Sequence, residues 1–494
     1  MVEFRLLPAA AVLWVALLAG RFGWVVAIVG ALAVVRLRGQ PVLVGGVAAL
    51  GLCARRFFTA ELPERYEATV IAVREHSLQV RHGGYPRPVN VFSSQDVEVG
   101  QRVLVDGNTV TVLGDPAGWV FYVRSTFADA VAQYIDGSHR GLIPGMVLGD
   151  TSLQDDVHKR IYAAAGLSHL SAVSGANVAI VTTLAVLACR RLGLRGQIAV
   201  AAVSLLVYVG LVGPEPSVLR AALTGLVGLL AVVSSSTMEP IHALCISIIA
   251  ILLFQPDMAT NVGFALSVAA TTGIVALRDS LTLGLPPALN RAVAVAIAAD
   301  VTTAPLIVAL TGRLNPVSVL ANVLVDAAAV PITAVGLVAA ILSLLPGGLE
   351  APLLWALAPL SWWIDAVARW VVSLPIQPIP ADPLIVAVVY GWIVALALVE
   401  RPAWAGAALV VGACAVVRPL PAEVGEVPTF VVDKEEQVAD APAGTQRIVV
   451  MDPHGKPAER PVVTKDGVPV LYPARDGPVR VYVDGSQHAA DGRF

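Results

Sequence analysis

Long stretches without any ionisable side chain constrain the fold of this chain more than any other feature. Residues 292–299, 317–325 and 327–345 are uncharged and mainly apolar. Only 14% of the 494 residues are charged and 56% are hydrophobic, whereas a soluble protein of this length carries about 25% charged residues. The sequence therefore predicts a polytopic α-helical integral membrane protein.

Apolar runs predict helices in two parts of the chain, since a helix needs about 20 residues to cross the hydrocarbon core. Residues 1–58 predict a helical hairpin over 7–35, divided near Arg21 and Gly23, and a third helix over 41–56. Residues 166–418 predict a larger transmembrane domain. Its runs cover 167–189, 197–213, 217–235, 240–254, 261–277, 291–311, 317–345, 353–374, 384–400 and 403–417. Because Pro331 and Gly336 interrupt 317–345, two half-helices are one interpretation of that run.

Three segments have the composition of soluble sequence. Residues 59–118 contain five short stretches of alternating apolar and polar residues separated by Gly, Asn and Asp, which predict a small OB-like β-barrel inserted between the membrane helices. Residues 119–165 predict amphipathic helices broken at Gly141 and Pro144. Residues 419–494 form a short polar C-terminal tail with nine prolines in 421–494, which we expect to be largely extended or disordered with some strand in 447–484.

Basic residues predict the orientation in the membrane, since cytoplasmic loops are enriched in Lys and Arg. Three clusters are consistent with one cytoplasmic face: Arg36 and Arg38; Arg190, Arg191 and Arg195; and Arg278 and Arg291. This places the N-terminus in the cytoplasm and the β insert outside the cell. Arg55 and Arg56 disagree, because they fall on the outer side.

The run at 167–189 begins with polar residues, in the sequence "GLSHLSAVSGANVAIV". Read as one helix, Ser171, Ser174, Gly175 and Val178 follow the spacing i, i+3, i+4 and i+7 and share a narrow face. One interpretation is helix packing through small residues and serine hydrogen bonds. The other is that this face lines an aqueous path with His169 and Asn177 at its mouth.

Further polar interruptions favour a path. In "GLVGPEPSVLRAALTG" a Gly-Pro break precedes a helix that carries Arg220 in its first turns. A broken helix with an inward N-terminus and an Arg favours anions such as phosphate, whereas the alternative is a surface ion pair between Arg220 and Glu215. Other interruptions are Asn261, Gly263, Ser267, Asp300, Pro305, Asn322, Asp326 and Pro331.

The motifs resemble one known family, the ComEC-type DNA-internalisation channels of bacterial competence, in an actinobacterial style. The resemblance covers about residues 1–418. It is carried by "GLIPGMVLGDTSLQDDVHKRIYAAAGLSHLSAVSGANVAIV", "PSVLRAALTG", "QPDMATNVGFALSVAATTGIVAL" and "TTAPLIVALTGRLNPVSVLANVLVDAAAVP", in this order. Asn177 stands where many relatives have His. Asp326 is an acid where the family is usually apolar, and it could pair with a basic residue.

The resemblance implies a channel that moves single-stranded DNA across the cytoplasmic membrane during natural transformation. It also implies a separate DNA receptor, nuclease and cytoplasmic motor as partners, besides membrane lipids. Many members carry a metallo-β-lactamase-like nuclease domain, but this chain has no "HxHxDH" cluster, so we expect no nuclease activity and no cofactor. The residues implied in the path are His169, Ser171, Ser174, Gly175, Asn177, Arg220, Asn261, Gly263, Ser267, Pro305, Asn322 and Pro331.

Other functions remain open at this point. A permease for a small solute or lipid is the main alternative, and an intramembrane enzyme using His169 with Ser171 or Ser174 is another. In the β insert, Arg74, Arg81, Tyr85 and Arg87 are candidates for DNA contact. Residues 59–118 nevertheless carry five arginines against eight acidic residues, so a structural or partner-docking role competes with nucleic-acid binding.

Overall fold

A computed structural model of the chain is mostly helical. It describes residues 6–398 and 424–489 apart from gaps at 37–40, 59–62, 64, 75–76, 83–88, 93–96, 98, 108, 115–117, 172, 214, 234–238, 279, 282–283, 375, 377–378, 425–426, 443, 453, 455–457, 459, 465–466 and 483–486. The predicted run at 403–417 lies outside the described residues.

The N-terminal segment forms the predicted hairpin and third helix: α1 (Leu7–Leu18), α2 (Gly23–Arg36) and α3 (Pro41–Phe58). Gly23 permits the close approach of these helices, because a Cβ atom there would collide with the Ala16 carbonyl and with Leu52. Arg55 Nη1 donates to the Leu17 carbonyl at 2.8 Å. This arginine therefore binds the C-terminal end of α1, which explains its conflict with the charge rule.

The insert forms a five-stranded antiparallel sheet from β1 (Arg65–Arg74), β2 (Ser77–Arg81), β3 (Val89–Phe92), β4 (Arg102–Asp106) and β5 (Thr109–Gly114). All five predicted strands are confirmed. The strand order is β3-β2-β1-β4-β5, and one face buries an apolar cluster around Val70, Val80 and Val103. Among the described strands no pairing joins the edges β3 and β5, so the predicted closure into a barrel is not shown.

Three helices follow the sheet: α4 (Trp119–Tyr134), α5 (Leu142–Leu148) and α6 (Asp156–Ala164), with a 3₁₀ turn at Ser138–Gly141. The prediction of a break at Pro144 is wrong, because this proline is the third residue of α5, where its missing N–H would have no helical partner. All seven residues of α5 are buried. This short helix packs inside a core shared by α4, α6 and two later helices.

The main helical domain comprises α7 (Gly175–Ala188), α8 (Leu194–Val212), α9 (Pro216–Val233), α10 (Pro240–Phe254), α11 (Val262–Leu277), α12 (Pro287–Thr311), α13 (Ser318–Leu342), α14 (Ala351–Ser373) and α15 (Pro383–Leu398). A two-stranded ribbon pairs β6 (Arg313–Leu314) with β7 (Ile379–Pro380). The predicted runs agree with the observed helices except at 167–189 and 317–345. In the first run, α7 begins only at Gly175. The half-helix interpretation of 317–345 is wrong, since α13 continues through Pro331.

Five of the described helical segments are long and apolar enough to cross a membrane: Ser168–Ala188, Leu194–Val212, Pro287–Thr311, Ser318–Leu342 and Ala351–Ser373. Six further apolar helices are shorter. On α14, the side chains of Trp355, Trp362 and Trp370 are exposed, as expected for residues that contact lipid. The chain is therefore a multi-pass membrane protein.

The tail contains more packed structure than its composition predicts. Two parallel pairings join β8 (Thr429–Val432), β9 (Arg447–Val450) and β10 (Val470–Leu471), and α16 (Pro473–Asp476) precedes an antiparallel pair of β11 (Val479–Val481) with β12 (Gln487–Ala489). Strand within 447–484 is confirmed. Val432, Ile448, Val450, Val470 and Tyr472 form a small buried cluster, which the sequence analysis did not anticipate.

Candidate functional site

Three helices of the main domain begin beside one another. Ser217 Oγ, in the first turn of α9, donates to the Val173 carbonyl just before α7 at 2.8 Å. A Cβ atom on Gly263, in the first turn of α11, would lie 3.8 Å from Pro216 Cγ at the start of α9. We call this region the helix junction, formed by residues 173–177, 216–220 and 261–267.

The run at 167–189 is not one helix. A 3₁₀ turn covers Ser168–Ser171, and α7 begins only at Gly175. The prediction that Ser171, Ser174, Gly175 and Val178 share one helical face is therefore wrong, because the backbone of Ser174 is extended at φ −91° and ψ 162°. The polar residues mark a helix start rather than a helix face.

Asn177 joins this helix start to two other elements. Its Nδ2 donates to the Met146 carbonyl of α5 at 2.6 Å, and its Oδ1 accepts from Ser174 Oγ at 3.0 Å. Thr333 Oγ1 of α13 also approaches Asn177 Oδ1, at 3.4 Å. The Ser174 hydroxyl donates to Asn177, and it accepts no hydrogen bond from the first N–H groups of α7.

Arg220 occupies the centre of the junction. Its side chain is 7% exposed, and its Nε donates to Ser267 Oγ of α11 at 2.8 Å. A Cβ atom on Gly175 would lie 3.0 Å from Arg220 Nη2. The guanidinium group therefore lies directly against the first residue of α7, and only a glycine leaves it this space.

Positive charge accumulates here without a described counter-ion. No acidic side chain among the described residues forms an ion pair with Arg220, so the predicted alternative of an Arg220–Glu215 pair is wrong. The N-terminal end of a helix carries about half a positive charge, and Arg220 adds a full charge beside two such ends. The α11 end is partly satisfied, because Asn261 Oδ1 accepts from the Phe264 N–H at 3.0 Å. This arrangement is suited to an anion.

Hydroxyl groups farther along α11 and α12 have a different role. Thr271 donates to the Ser267 carbonyl and Thr272 to the Val268 carbonyl, one turn back in the same helix. Thr302 bonds in the same way to Ala298. A Cβ atom on Gly273 would collide with the Ala298 carbonyl and Thr302. Packing of small and hydroxyl residues therefore accounts for this part of the polar seam.

The remaining predicted path residues are not brought to Arg220 by any described hydrogen bond. Pro305 and Pro331 lie inside continuous helices. Asn322 has a buried Oδ1 without a described hydrogen-bond partner, and Asp300 Oδ1 accepts from Ser318 Oγ at 2.7 Å. Asp326 forms no ion pair within the described part of the chain, so the suggested pairing with a basic residue is not found.

His169 and the β-insert residues can be placed only in part. The backbone of Gly166 lies beside the His169 ring, and no described hydrogen bond joins this ring to a serine hydroxyl. Arg81 is exposed on β2, and Arg74 ends β1. The side chains of Arg74 and Ser171, as well as Tyr85 and Arg87, lie outside the described residues.

Two residues that bond to the C-terminal end of α5, the helix that Asn177 joins to the junction, were not singled out from the sequence. Tyr208 OH donates to the Val147 carbonyl at 3.0 Å, and Arg124 Nη2 donates to the Gly149 carbonyl at 2.8 Å. Each residue follows an apolar residue in the sequence, and each bonds to a carbonyl that is 25 or 61 residues away in the chain. No local pattern therefore identifies them. The charge of Arg124 inside an apolar helix is the one signal that could have done so.

Comparisons with known proteins agree with this architecture. A family model described as "Competence protein" matches residues 146–403. "ComE operon protein 3" of Bacillus subtilis (strain 168) is 28% identical over 238 residues, which cover 47% of this chain and 29% of that protein. The chain thus spans about three tenths of the length of that relative. No solved structure matches. Since the family match covers more than half of the 494 residues and contains the helix junction, this chain belongs to the competence protein family.

Proposed function

We propose that this chain forms a path for single-stranded DNA across the cytoplasmic membrane during DNA uptake, with the helix junction as a contact point for its phosphates. One observation carries the proposal: Arg220 is buried at the start of helices and has no acidic partner among the described residues. An intramembrane arginine costs about 2.5–3.5 kcal/mol on insertion scales. A passing phosphate would supply the missing charge.

The lengths of the helices support a junction within the membrane. The 16 residues of α11 correspond to about 24 Å at 1.5 Å per residue, less than the hydrocarbon core of about 30 Å. Within the 21-residue segment Ser168–Ala188, only the 14 residues of α7 form the α-helix, which is about 21 Å long. If the C-terminal ends of these helices lie at one surface, their N-terminal ends stop short of the other. Polar helix ends at such a depth are tolerated beside protein or water.

The chemistry of the junction suits a polymer of any base sequence. Hydroxyl and amide groups and a single guanidinium can contact phosphate without reading bases. Phosphate contacts of this kind give affinity but no sequence information. One cation per site also allows release, since binding remains weak enough for the chain to move on.

We further propose the orientation and the partners. Successive helices α7–α12 pack as neighbours through short turns, so their directions alternate. The cytoplasm would then be faced by the helix ends that carry Arg190, Arg191, Arg278 and Arg291. The junction and the β insert would face the outside of the cell. The strand order of the insert is compatible with an OB-like barrel whose closing pair is β3 with β5. A separate receptor, nuclease and motor would deliver, cut and pull the DNA.

The experiment compares Arg220→Ala and Arg220→Lys with the exposed Arg313→Ala as a matched control, in a transformable host that lacks its own channel. We expect Arg220→Ala to reduce uptake of labelled DNA by roughly tenfold or more, because a charge-assisted contact contributes about 1.5–3 kcal/mol. Arg220→Lys should retain part of the uptake, and Arg313→Ala nearly all. Normal uptake in Arg220→Ala would refute the proposal.

A permease for a small anion is the second candidate, since the tight contact between Gly175 and Arg220 leaves little free space. Accumulation of a labelled small organic anion is therefore measured in the same strains. Loss of anion accumulation with normal DNA uptake in Arg220→Ala would favour the permease.

A further inference from the structure

A second polar cluster, with a buried centre and an exposed rim, lies outside the helix junction between α6 and α14. Asp155 immediately precedes α6, and His158 and Tyr162 lie on α6. The other two members, Asp365 and Arg369, lie on α14. His158 is 6% exposed, Asp365 7% and Tyr162 1%. No other described element places so many titratable groups in mutual contact, and the DNA path does not account for them.

The neighbours of its two ring nitrogens assign a tautomer to His158 in this structure. Its Nε2 lies 2.5 Å from Arg369 Nη2, and because a guanidinium can only donate, Nε2 must accept. Its Nδ1 lies 2.5 Å from Asp155 Oδ1, so Nδ1 carries the proton and donates to this carboxylate. The imidazole is therefore neutral in this arrangement.

The groups that face His158 would respond to a second proton. They are Asp155 and Tyr162 from its own element, Asp365 and Arg369 from α14, and His139 from the 3₁₀ turn Ser138–Gly141. With His158 neutral, two carboxylates and one guanidinium leave the cluster with a net charge of about −1, which attracts a proton. However, an N–H on Nε2 would point at an Arg369 N–H, so these groups would have to separate.

A rearranged set of bonds is available to the protonated ring. His158 Nε2 lies 3.6 Å from Asp365 Oδ1, which now accepts from Tyr162 OH at 3.0 Å. Arg369 Nε already donates to Asp365 Oδ2 at 2.7 Å. Protonation would thus transfer His158 from Arg369 to Asp365 and change how α6 is held on α14.

Movement of α6 would reach the helix junction through the chain. The Ala164 carbonyl at the end of α6 accepts from Asn315 Nδ2 at 2.8 Å, and the next residues lead to Val173, whose carbonyl accepts from Ser217. We propose that the His158 cluster is a proton-binding site whose occupancy sets the attachment of α6 to α14 and, through it, the geometry of the junction. The second clause rests on the proposed function, whereas proton binding by the cluster does not.

The test measures the α6–α14 distance without DNA. Spin labels are placed on exposed positions by Val157→Cys and Trp370→Cys in the full chain, with its native cysteines replaced, in lipid nanodiscs. We expect one distance distribution near pH 8 and a shifted or broader one near about pH 5, because the doubly protonated ring would exchange Arg369 for Asp365. His158→Gln should abolish the response, since its amide can accept from Arg369 and does not titrate, whereas His242→Gln on α10 should leave the response unchanged. The same distribution at both pH values, or an unaltered response in His158→Gln, would overturn the proposal.

A second variant keeps the test decisive if His158→Gln does not fold. Arg369→Gln removes the cation that opposes protonation, so the midpoint of the transition should move to higher pH; a lower midpoint would contradict the proposal. A pH response that persists while Arg220→Ala transports DNA normally would remove the channel hypothesis and leave the proton site intact.

Discussion

Arg220 Nε donates to Ser267 Oγ at 2.8 Å, and this bond connects α9 to α11 inside the protein. It uses one of the five N–H donors of the guanidinium. The Nη2 side faces the first residue of α7, where a glycine allows contact. The arginine is thus held in position by one neighbour, and no acidic side chain among the described residues forms an ion pair with it.

Gly175→Ala should displace Arg220. The new methyl group would lie 3.0 Å from Nη2 and 3.2 Å from Ala221 Cβ, so the guanidinium has to move by a few tenths of an ångström or more. We expect DNA uptake to fall several-fold, while the helix itself gains from alanine by up to about 1 kcal/mol. Gly228→Ala on α9 is the control, because nothing lies within 4 Å of its added methyl group; equal uptake in the two variants would contradict the positioning role.

Asn177→Ala should destabilise the fold by about 1–3 kcal/mol, because the buried Met146 carbonyl loses its donor. Thermal unfolding of the purified protein in detergent measures the change. Thr182→Ala in the same helix is the control, since its hydroxyl bonds to the Val178 carbonyl of its own turn, and a change within about 0.5 kcal/mol is expected. A similar loss of stability in both variants would mean that Asn177 does not bridge α7 and α5.

Gly273→Ala should separate α11 from α12. The new methyl group would collide with the backbone carbonyl of Ala298 as well as with Thr302, and backbone cannot rotate away as a side chain can. Overpacking of this kind costs about 1–3 kcal/mol, measured as a lower unfolding temperature. Gly225→Ala, where the methyl group meets open space, should leave this temperature unchanged or raised, and an equal decrease there would refute the close contact.

Acid should weaken the attachment of α6. Burial disfavours the charged form of Asp155, but the backbone N–H and the ring N–H of His158 donate to its carboxylate and the charge of Arg369 adds a smaller attraction, so the pKa of Asp155 lies below its ordinary value of 3.8. A carboxylate with a lowered pKa stabilises the folded state above its unfolded pKa, and this contribution disappears as the pH falls through the folded pKa. Asp155→Asn keeps a capping side chain but does not titrate.

The stability difference between wild type and Asp155→Asn should therefore be constant at neutral pH and shrink below about pH 4. Unfolding temperatures across this pH range provide the measurement. A difference that stays constant into the acid range would show that the Asp155 carboxylate is not stabilised by His158.

The sequence predicted the elements better than their interruptions. Hydrophobic runs and alternation located α8–α15 and all five strands of the insert, because burial in lipid or in a sheet face imposes a periodic pattern. Pro144 and Pro331 were misinterpreted as breaks, since proline breaks a helix only where its missing N–H and its ring are not accommodated. Ser171 and Ser174 were assigned to one helix because spacing alone does not reveal where a helix begins.

The site was predicted in its chemistry but not in its contacts. Arg220 was identified because a charge in an apolar helix is conspicuous in any sequence. Its partner Ser267 and the bonds of Asn177 to Met146 and Thr333 depend on tertiary packing between distant segments. The same holds for the His158 cluster, where Tyr162 of α6 donates to an acid 203 residues away.

The most direct test of a DNA path through the helix junction is whether water and DNA reach its residues. Single cysteines introduced by Ser174→Cys and Ser267→Cys in a cysteine-free chain would be treated with a water-soluble thiol reagent, with lipid-exposed Leu206→Cys as the control. If the junction lines the DNA path, the cysteines at 174 and 267 react from one side of the membrane and single-stranded DNA slows their reaction. The cysteine at 206 stays unreactive. Uniformly low reactivity at all three positions, unaffected by DNA, would contradict such a path.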